Sequence, residues 1–373
     1  MSLTLHLDTA AWRDHLSSVA SRTPGLVPVA KGNGYGFGLP RLAREATRLG
    51  VATLAVGVAD EVATVRDDWS GDIVVLTPWA SHDPVATELL DDPGVISTVG
   101  RLDDLRTIVR EHPGARVVVE VRTSMQRFGL EPAELPRVAD LLRELTFEGW
   151  TIHLPMVGPT LDEARRLATS ALAVATGPVW LSHLSPRDYD TLNGELGVET
   201  RLRLGTKLWL GAPQTRRVTA TVLDLHPVSR GDKVGYWQHR VLTDGWVVVV
   251  SGGTANGVAM TAPSAGATLR QRAQAVILGG VDATGRALSP YTLAGRKRFF
   301  VEPPHMQSSL VFLPGAGAVA IGDEVPVETR LTTVMVDRII DSSDRPDSSD
   351  RPDSSDRPDS SNRPDQQTPE ENR

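Results

Sequence analysis

The 373-residue chain has no cysteine, which excludes disulfides, thiolate metal sites and a cysteine nucleophile. No apolar run approaches the ~20 residues needed to span a bilayer, so no membrane association is expected. Basic residues are the minority, 39 Lys+Arg against 46 Asp+Glu, for a formal charge of −7. With no basic stripe, nucleic acid is not an expected partner. The stretch Met1–Leu7 lacks a basic region followed by an apolar core, so a secretory signal is not expected and a cytoplasmic protein is. From Asp341 onward apolar residues are missing altogether, and the chain repeats Asp-Ser-Ser-Asp-Arg-Pro, the fourth copy reading Asp-Ser-Ser-Asn-Arg-Pro. Nothing in that stretch can offset the entropy of ordering, so 341–373 is expected to be a disordered tail. An inert spacer is its simplest reading, and an interaction or phosphorylation role for its serines is the alternative.

What is present is an alternation of short apolar runs with amphipathic helical patterns. After a helix over 9–22, strands are expected at 27–31, 53–57, 72–77, 95–99, 116–123, 149–154, 178–182 and 200–204. Helical periodicity falls between them, as at 39–49, 102–111, 134–145 and 161–175. The runs are rich in β-branched residues, as when both sheet faces are covered by protein. Eight strand–helix units point to an α/β fold, a TIM-like (β/α)₈ barrel over 1–211, with an open doubly wound sheet as competitor. After Gly211 short strands separated by tight turns predict a mainly β domain over 212–340. Its strands are expected at 217–228, 235–241, 246–251, 273–280, 298–301, 325–329 and 334–336.

In a barrel, function gathers on the loops at the C-terminal ends of the strands. Lys31 closes the first apolar run and opens the loop Gly32-Asn33-Gly34-Tyr35-Gly36-Phe37-Gly38. A lysine buried there suits Schiff-base chemistry with a carbonyl, because burial lowers its pKa. The plain alternative is a lysine reaching into solvent. Arg127 follows the fifth strand, His153 ends the sixth, Ser185 follows the seventh, and Arg203-Leu204-Gly205-Thr206 ends the eighth. Ser185, Gly205 and Thr206 fall where barrels often bind phosphate. A lysine, a phosphate cradle and an arginine together suggest pyridoxal phosphate; no metal site is expected. Each residue has an ordinary alternative: His153 a hydrogen-bonded core residue, Ser185 a helix cap, Arg127 a solvated loop charge.

The stretch Val29-Ala30-Lys31-Gly32-Asn33-Gly34-Tyr35-Gly36-Phe37-Gly38 resembles the cofactor-lysine motif of alanine racemases, usually Val-Lys-Ala-Asn-Ala-Tyr-Gly-His-Gly. That resemblance, close only in short stretches, implies a pyridoxal 5′-phosphate barrel, a β domain and a head-to-tail homodimer whose sites each use both chains. It implies that Lys31 carries the cofactor, that Tyr35, Ser185, Gly205 and Thr206 bind its phosphate, and that His153 packs on its ring. Arg203 would face the pyridine nitrogen. Arg127 would lie near the substrate carboxylate, and Met306 would meet the substrate from the partner chain. It also implies an amino-acid substrate, alanine first, and D-alanine for the cell wall.

Three departures narrow this. Glu120 stands where the family usually has a lysine modified to a carbamate, and its carboxylate is expected to pair with Arg127. Arg122 replaces a familiar aspartate. Most sharply, Thr254 in Val249-Val250-Ser251-Gly252-Gly253-Thr254-Ala255-Asn256-Gly257 stands where the family's loop carries an acid/base tyrosine. A threonine hydroxyl is far too weakly acidic to serve near neutral pH. Tyr236, Tyr291 and His239 are the nearby substitutes, with Tyr236 expected to pack in a strand. The expected function is an alanine-racemase-like enzyme of weak or altered activity. The alternatives are a catalytically silent cofactor-binding partner or sensor, and a one-base enzyme performing decarboxylation or one-sided elimination.

Overall fold

The structure, a computed structural model, describes residues 2–260, 287–315 and 319–342. It begins with strand β1 (Leu3–Leu7) and helix α1 (Thr9–Ser21), then enters a run of alternating elements. These are β2 (Leu26–Pro28), α2 (Leu39–Leu49), β3 (Thr53–Val56), α3 (Glu61–Arg66), β4 (Asp72–Val75), α4 (Pro84–Glu88), β5 (Val95–Val99) and α5 (Leu102–Glu111). There follow β6 (Arg116–Val121), β7 (Thr146–Ile152), α6 (Thr160–Leu172), β8 (Val179–Ser182), α7 (Pro186–Leu196), β9 (Thr200–Leu204) and the single turn α8 (Thr206–Trp209).

Strands β2 to β9 pair in parallel in the order β2-β9-β8-β7-β6-β5-β4-β3. A bridge between Val29 and Ala55, with the Ala30 N–H donating to the Ala55 carbonyl at 2.8 Å, joins the two ends. The sheet closes into the TIM-like barrel expected from the strand count, and the open sheet is excluded. Val27, Val29, Ala55, Val74, Ile96, Val118 and Trp180 pack together inside it. The helix expected over 134–145 is instead two short 3₁₀ segments, Pro132–Val138 and Leu141–Glu144. Pro136 lies inside the first; it lacks an N–H to donate and its ring crowds the preceding turn.

Beyond the barrel come β10 (Arg216–Val228), β11 (Lys233–Val234), β12 (His239–Arg240), β13 (Gly245–Ser251), β14 (Leu288–Leu293), β15 (Arg296–Phe299), β16 (Ser308–Pro314), β17 (Glu324–Pro326) and β18 (Arg338–Asp341). The main sheet runs β16-β13-β10-β1-β18, with β17 on β10. β1 therefore belongs to this sheet and not to the barrel, and its alternating Leu3, Leu5 and Leu7 are buried. No strand forms over 334–336. The expected strand at 273–280 lies outside the described residues, as does the tail from 343 onward. No helix among the described residues is long and apolar enough to cross a membrane.

Sheet and barrel share one apolar cluster, in which Trp12 stacks on Phe37 with ring centroids 4.6 Å apart. Trp12 Nε1 donates to the Trp209 carbonyl (2.9 Å), and Trp209 Nε1 donates to the Val29 carbonyl (2.8 Å), which fixes the strand two residues before Lys31. The far edge is tied down by Asp341, which accepts from Arg41 at 2.5 Å and from the Thr9 hydroxyl. Asp341→Ala strands a part-buried guanidinium and is expected to cost about 1–3 kcal/mol. Urea denaturation checks this, and an unchanged midpoint would contradict the anchoring role.

Candidate active site

Strand alternation assembles the barrel mouth. A residue two positions beyond an inward-facing one points the same way. Lys31 follows Val29 by two, Glu120 follows Val118, Ser182 follows Trp180, and Arg203 is in register with both Val27 and Ser182. His153 follows Thr151, itself in register with Glu120 and Trp180. These side chains gather at the C-terminal ends of the strands, where Lys31 is exposed, His153 half-buried and Arg203 buried.

Two carbonyls and one carboxylate hold the Lys31 loop. Glu61, in the first turn of α3, accepts from the N–H groups of Gly32 and Gly57, both at 2.6 Å. Asn33 Nδ2 donates to the carbonyls of Leu331 (2.8 Å) and Val334 (2.9 Å), which ties the loop to the β region. Tyr35 sits in the left-handed region (φ 56°), as do Gln126 (φ 54°) on the loop after β6 and His183 (φ 58°) after β8. Strain of this kind in non-glycine residues collects at functional sites.

The electrostatics are one-sided. Lys31 is open to the mouth by surface, yet crowding there and the charges of Arg127 and Arg203 lower its pKa. Arg203 is 8% exposed; burial pulls its pKa down to about 10 against the support of Glu120. Burial pushes Glu120 upward while Arg203 and Arg127 pull it down. His153 is held neutral, at about 2, by burial and by Arg203 and Arg127; its Nδ1 shares a 3.0 Å hydrogen bond with Ser182. The mouth thus carries more positive than negative charge, and an anionic occupant suits it.

Two observations test whether pyridoxal phosphate fits. Arg203 Nη2 donates to the Ile152 carbonyl (3.3 Å), but its buried Nε has no partner. Such an orphaned donor is the one a ring nitrogen would satisfy. Tyr35 lies directly on Gly205, where a Cβ would stand 2.0 Å from its hydroxyl. Burial raises that phenol to about 12, which keeps it a neutral donor beside the start of α8. Thr206 follows there, exposed, and neither it nor Gly205 has a protein acceptor for its N–H among the described residues. The residues fit the group.

Other placements differ from expectation. Ser185 caps α7, accepting from the Asp188 N–H (3.1 Å) and donating to its carboxylate (2.7 Å), so its hydroxyl is already engaged. Arg127 is exposed and lies over the Phe128 ring at 5.1 Å; no ion pair with Glu120 forms among the described residues. Arg122, unexplained by sequence, donates to the Gly129 carbonyl (2.9 Å) and pairs with Glu131 (2.8 Å), bracing the loop that carries Arg127.

Thr254 and Met306 sit together on the β side. The N–H of Thr254 donates to the His305 carbonyl (2.8 Å), and that of Ala255 to the Met306 carbonyl (2.9 Å). Among the described residues no hydrogen bond or ion pair joins either residue to Lys31. Tyr291 is fully buried, donating to the Ser251 and Gly252 carbonyls, which removes it as a substitute base. His239 is exposed on β12. Tyr236 is not packed in a strand: it lies 82% exposed on the turn between β11 and β12, its ring 4.5 Å from that of His305. His305 in turn bonds Glu302 at 2.7 Å. Sequence reasoning missed Glu61, His183 and His305; the Glu-Pro-Pro-His spacing and the acidic first turn of α3 were the available signals.

A cavity of about 510 Å³ opens at the opposite end of the barrel, but its charged lining residues Arg48, Arg201 and Glu199 are already paired, with Glu45 or each other. No cluster of three potential metal ligands occurs among the described residues. Fold and site therefore define a (β/α)₈ barrel with an associated β sheet and a lysine-bearing, cation-rich mouth.

The family described as "Alanine racemase, N-terminal domain" matches residues 7–179. An alanine racemase of Mycobacterium tuberculosis is 35% identical over 128 residues, 33% of each chain, so the match spans about a third of the length of that relative. Among solved structures, alanine racemase of Clostridium difficile 630 superposes with a TM-score of 0.69 at 15% identity, covering 92% of this chain and 96% of that one. One from Bartonella henselae "with covalently bound pyridoxal phosphate" gives 0.67 at 18% identity, covering 90% and 98%. Residues 7–179 thus match the N-terminal domain of alanine racemases, and the fold as a whole is the one that the solved alanine racemases have.

His153 sets a pH signature. Its unfolded form takes a proton below about 6.5, while the folded form refuses one until about 2. Its contribution is complete above pH 6.5 and is lost as pH falls below it, at about 1 kcal/mol per pH unit allowing for partial exposure. Urea midpoints at pH 7 and 5.5 should converge in His153→Gln; an unchanged pH slope would contradict a neutral, enclosed imidazole.

Proposed function

We propose that the barrel mouth holds pyridoxal 5′-phosphate on Lys31 and that the protein is an amino-acid racemase of altered activity, with alanine the first substrate to test. The observation that carries this is the pairing of a pKa-lowered Lys31 with a buried Arg203 whose Nε lacks a partner. When bound, the cofactor supplies an electron sink that lets a proton leave an amino acid's Cα. Lys31 Nζ, more often neutral than a free lysine, takes or returns that proton on one face. Arg203 stays a cation and donates from Nε to the ring nitrogen. Tyr35 donates its hydroxyl to the phosphate, to which the N–H groups of Gly205 and Thr206 also donate. Ser185 would join them only by giving up its bonds to Asp188. His153 presents a neutral ring, and exposed Arg127 is free to meet a substrate carboxylate. Two copies of the chain, arranged head to tail, would bring Met306 and Thr254 of one to the mouth of the other.

The exposed Thr254 hydroxyl, 3.5 Å from the His305 carbonyl, favours a second reading: a cofactor-binding protein that does not racemise, or an enzyme that needs one base only. Visible absorbance after cofactor addition should appear in the wild type and vanish in Lys31→Ala. Exchange of Cα–H in deuterated water with inversion supports the racemase, and exchange without inversion supports one-base chemistry. A colourless wild-type protein removes every cofactor reading.

A further inference from the structure

Glu302 is 2% exposed, a carboxylate placed in the interior of the β region. Room for it is made by Gly235, where a Cβ would stand 2.2 Å from Oε2. One oxygen accepts from the Trp237 N–H (3.2 Å) and the other meets His305 Nε2 at 2.7 Å. With the carboxylate accepting from an Nε2–H, the neutral ring carries its lone pair on Nδ1. Nδ1 makes no hydrogen bond among the described residues, and the imidazole, with its side chain 25% exposed, reaches solvent. Tyr236 lies against the ring, with centroids 4.5 Å apart and the planes tilted by 38°. Carboxylate, oriented imidazole and open nitrogen are the parts of a general base held in one tautomer.

This dyad is built next to the gap left at Thr254. The His305 carbonyl receives the Thr254 N–H, and Met306 follows it in the chain. Around it Trp237 and Met306 are each 72% exposed, so the dyad sits on a face its own chain does not cover. We propose that His305, oriented by Glu302, is the acid/base group working opposite Lys31, in place of the tyrosine that Thr254 replaces. This rests on the reading that two copies share each site. His305 Nδ1 takes the Cα proton on one face of the substrate. Lys31 Nζ would deliver a proton to the other face, with the cofactor, when bound, supplying the electron sink. His305 then loses its proton to solvent and Lys31 regains one from it, so both groups return to their starting states with no net oxidation or reduction.

The test uses the full chain loaded with pyridoxal 5′-phosphate and follows Cα–H exchange of D- and L-alanine separately in deuterated water. His305→Gln is expected to cut exchange from one enantiomer by ~10²–10⁴-fold, with the visible absorbance retained. In cofactor-free protein, nitrogen-15 spectra should show the neutral His305 ring protonated on Nε2, and Glu302→Leu should remove that preference. Undiminished exchange of both enantiomers in His305→Gln overturns the proposal while leaving the cofactor reading intact. So does a ring protonated on Nδ1, or a loss seen in Tyr236→Phe and not in His305→Gln. A wild type that exchanges neither enantiomer overturns the racemase reading together with this one.

Discussion

A buried guanidinium governs the barrel mouth. Arg203 is 8% exposed, directs one nitrogen at the Ile152 carbonyl, and keeps Nε unpartnered. Leaving a buried charged donor unmade costs more than a neutral one, and such an arrangement persists where something else completes it. Glu120 supplies the carboxylate nearest in effect, and burial raises that group too, so the pair offsets only part of the cost. Lys31 and Arg127 add positive charge to the same space. The proposed anionic cofactor relieves all of this at once.

The remainder of the fold can be understood as support for that mouth. The barrel's inner layer of Val, Ile and Trp seals its floor, and strand alternation raises the polar residues one layer above it. The Trp12–Trp209–Val29 chain of hydrogen bonds fixes the strand beneath Lys31, while Glu61 and Asn33 fix the loop beyond it. Asn33 reaches Leu331 and Val334, so movement of the β region is felt at the lysine loop. The same β region carries His305 and Met306 on an uncovered face. On the proposed reading one chain holds two half-sites, and the dimer joins them.

Much of this was legible in the sequence. All eight barrel strands were, because β-branched runs buried on both faces leave a period and a spacing that survive divergence. The placement of Lys31, His153 and Arg203 at strand ends was legible because strand ends in a barrel converge. β1 was not, although Leu3, Leu5 and Leu7 alternate, because its partners β10 and β18 are remote in sequence and only tertiary pairing defines it. Arg122 made sense only once Glu131 and the Gly129 carbonyl were seen beside it. Ser185 reads from sequence as a phosphate ligand or a helix cap, and here it caps α7, two uses of one hydroxyl that local sequence does not distinguish. The Glu302–His305 pair was hidden for another reason: an acid and a histidine three apart around two prolines form a dyad only if the loop folds back.

The central claim is that Lys31 carries the cofactor. The chain has only four lysines, Lys31, Lys207, Lys233 and Lys297, which makes the question direct. Borohydride reduction of the cofactor-loaded protein makes a lysine–carbonyl linkage permanent, and peptide mass spectrometry then locates it. The account predicts one modified peptide, the one containing Lys31. Modification of another lysine, or no adduct, would contradict it.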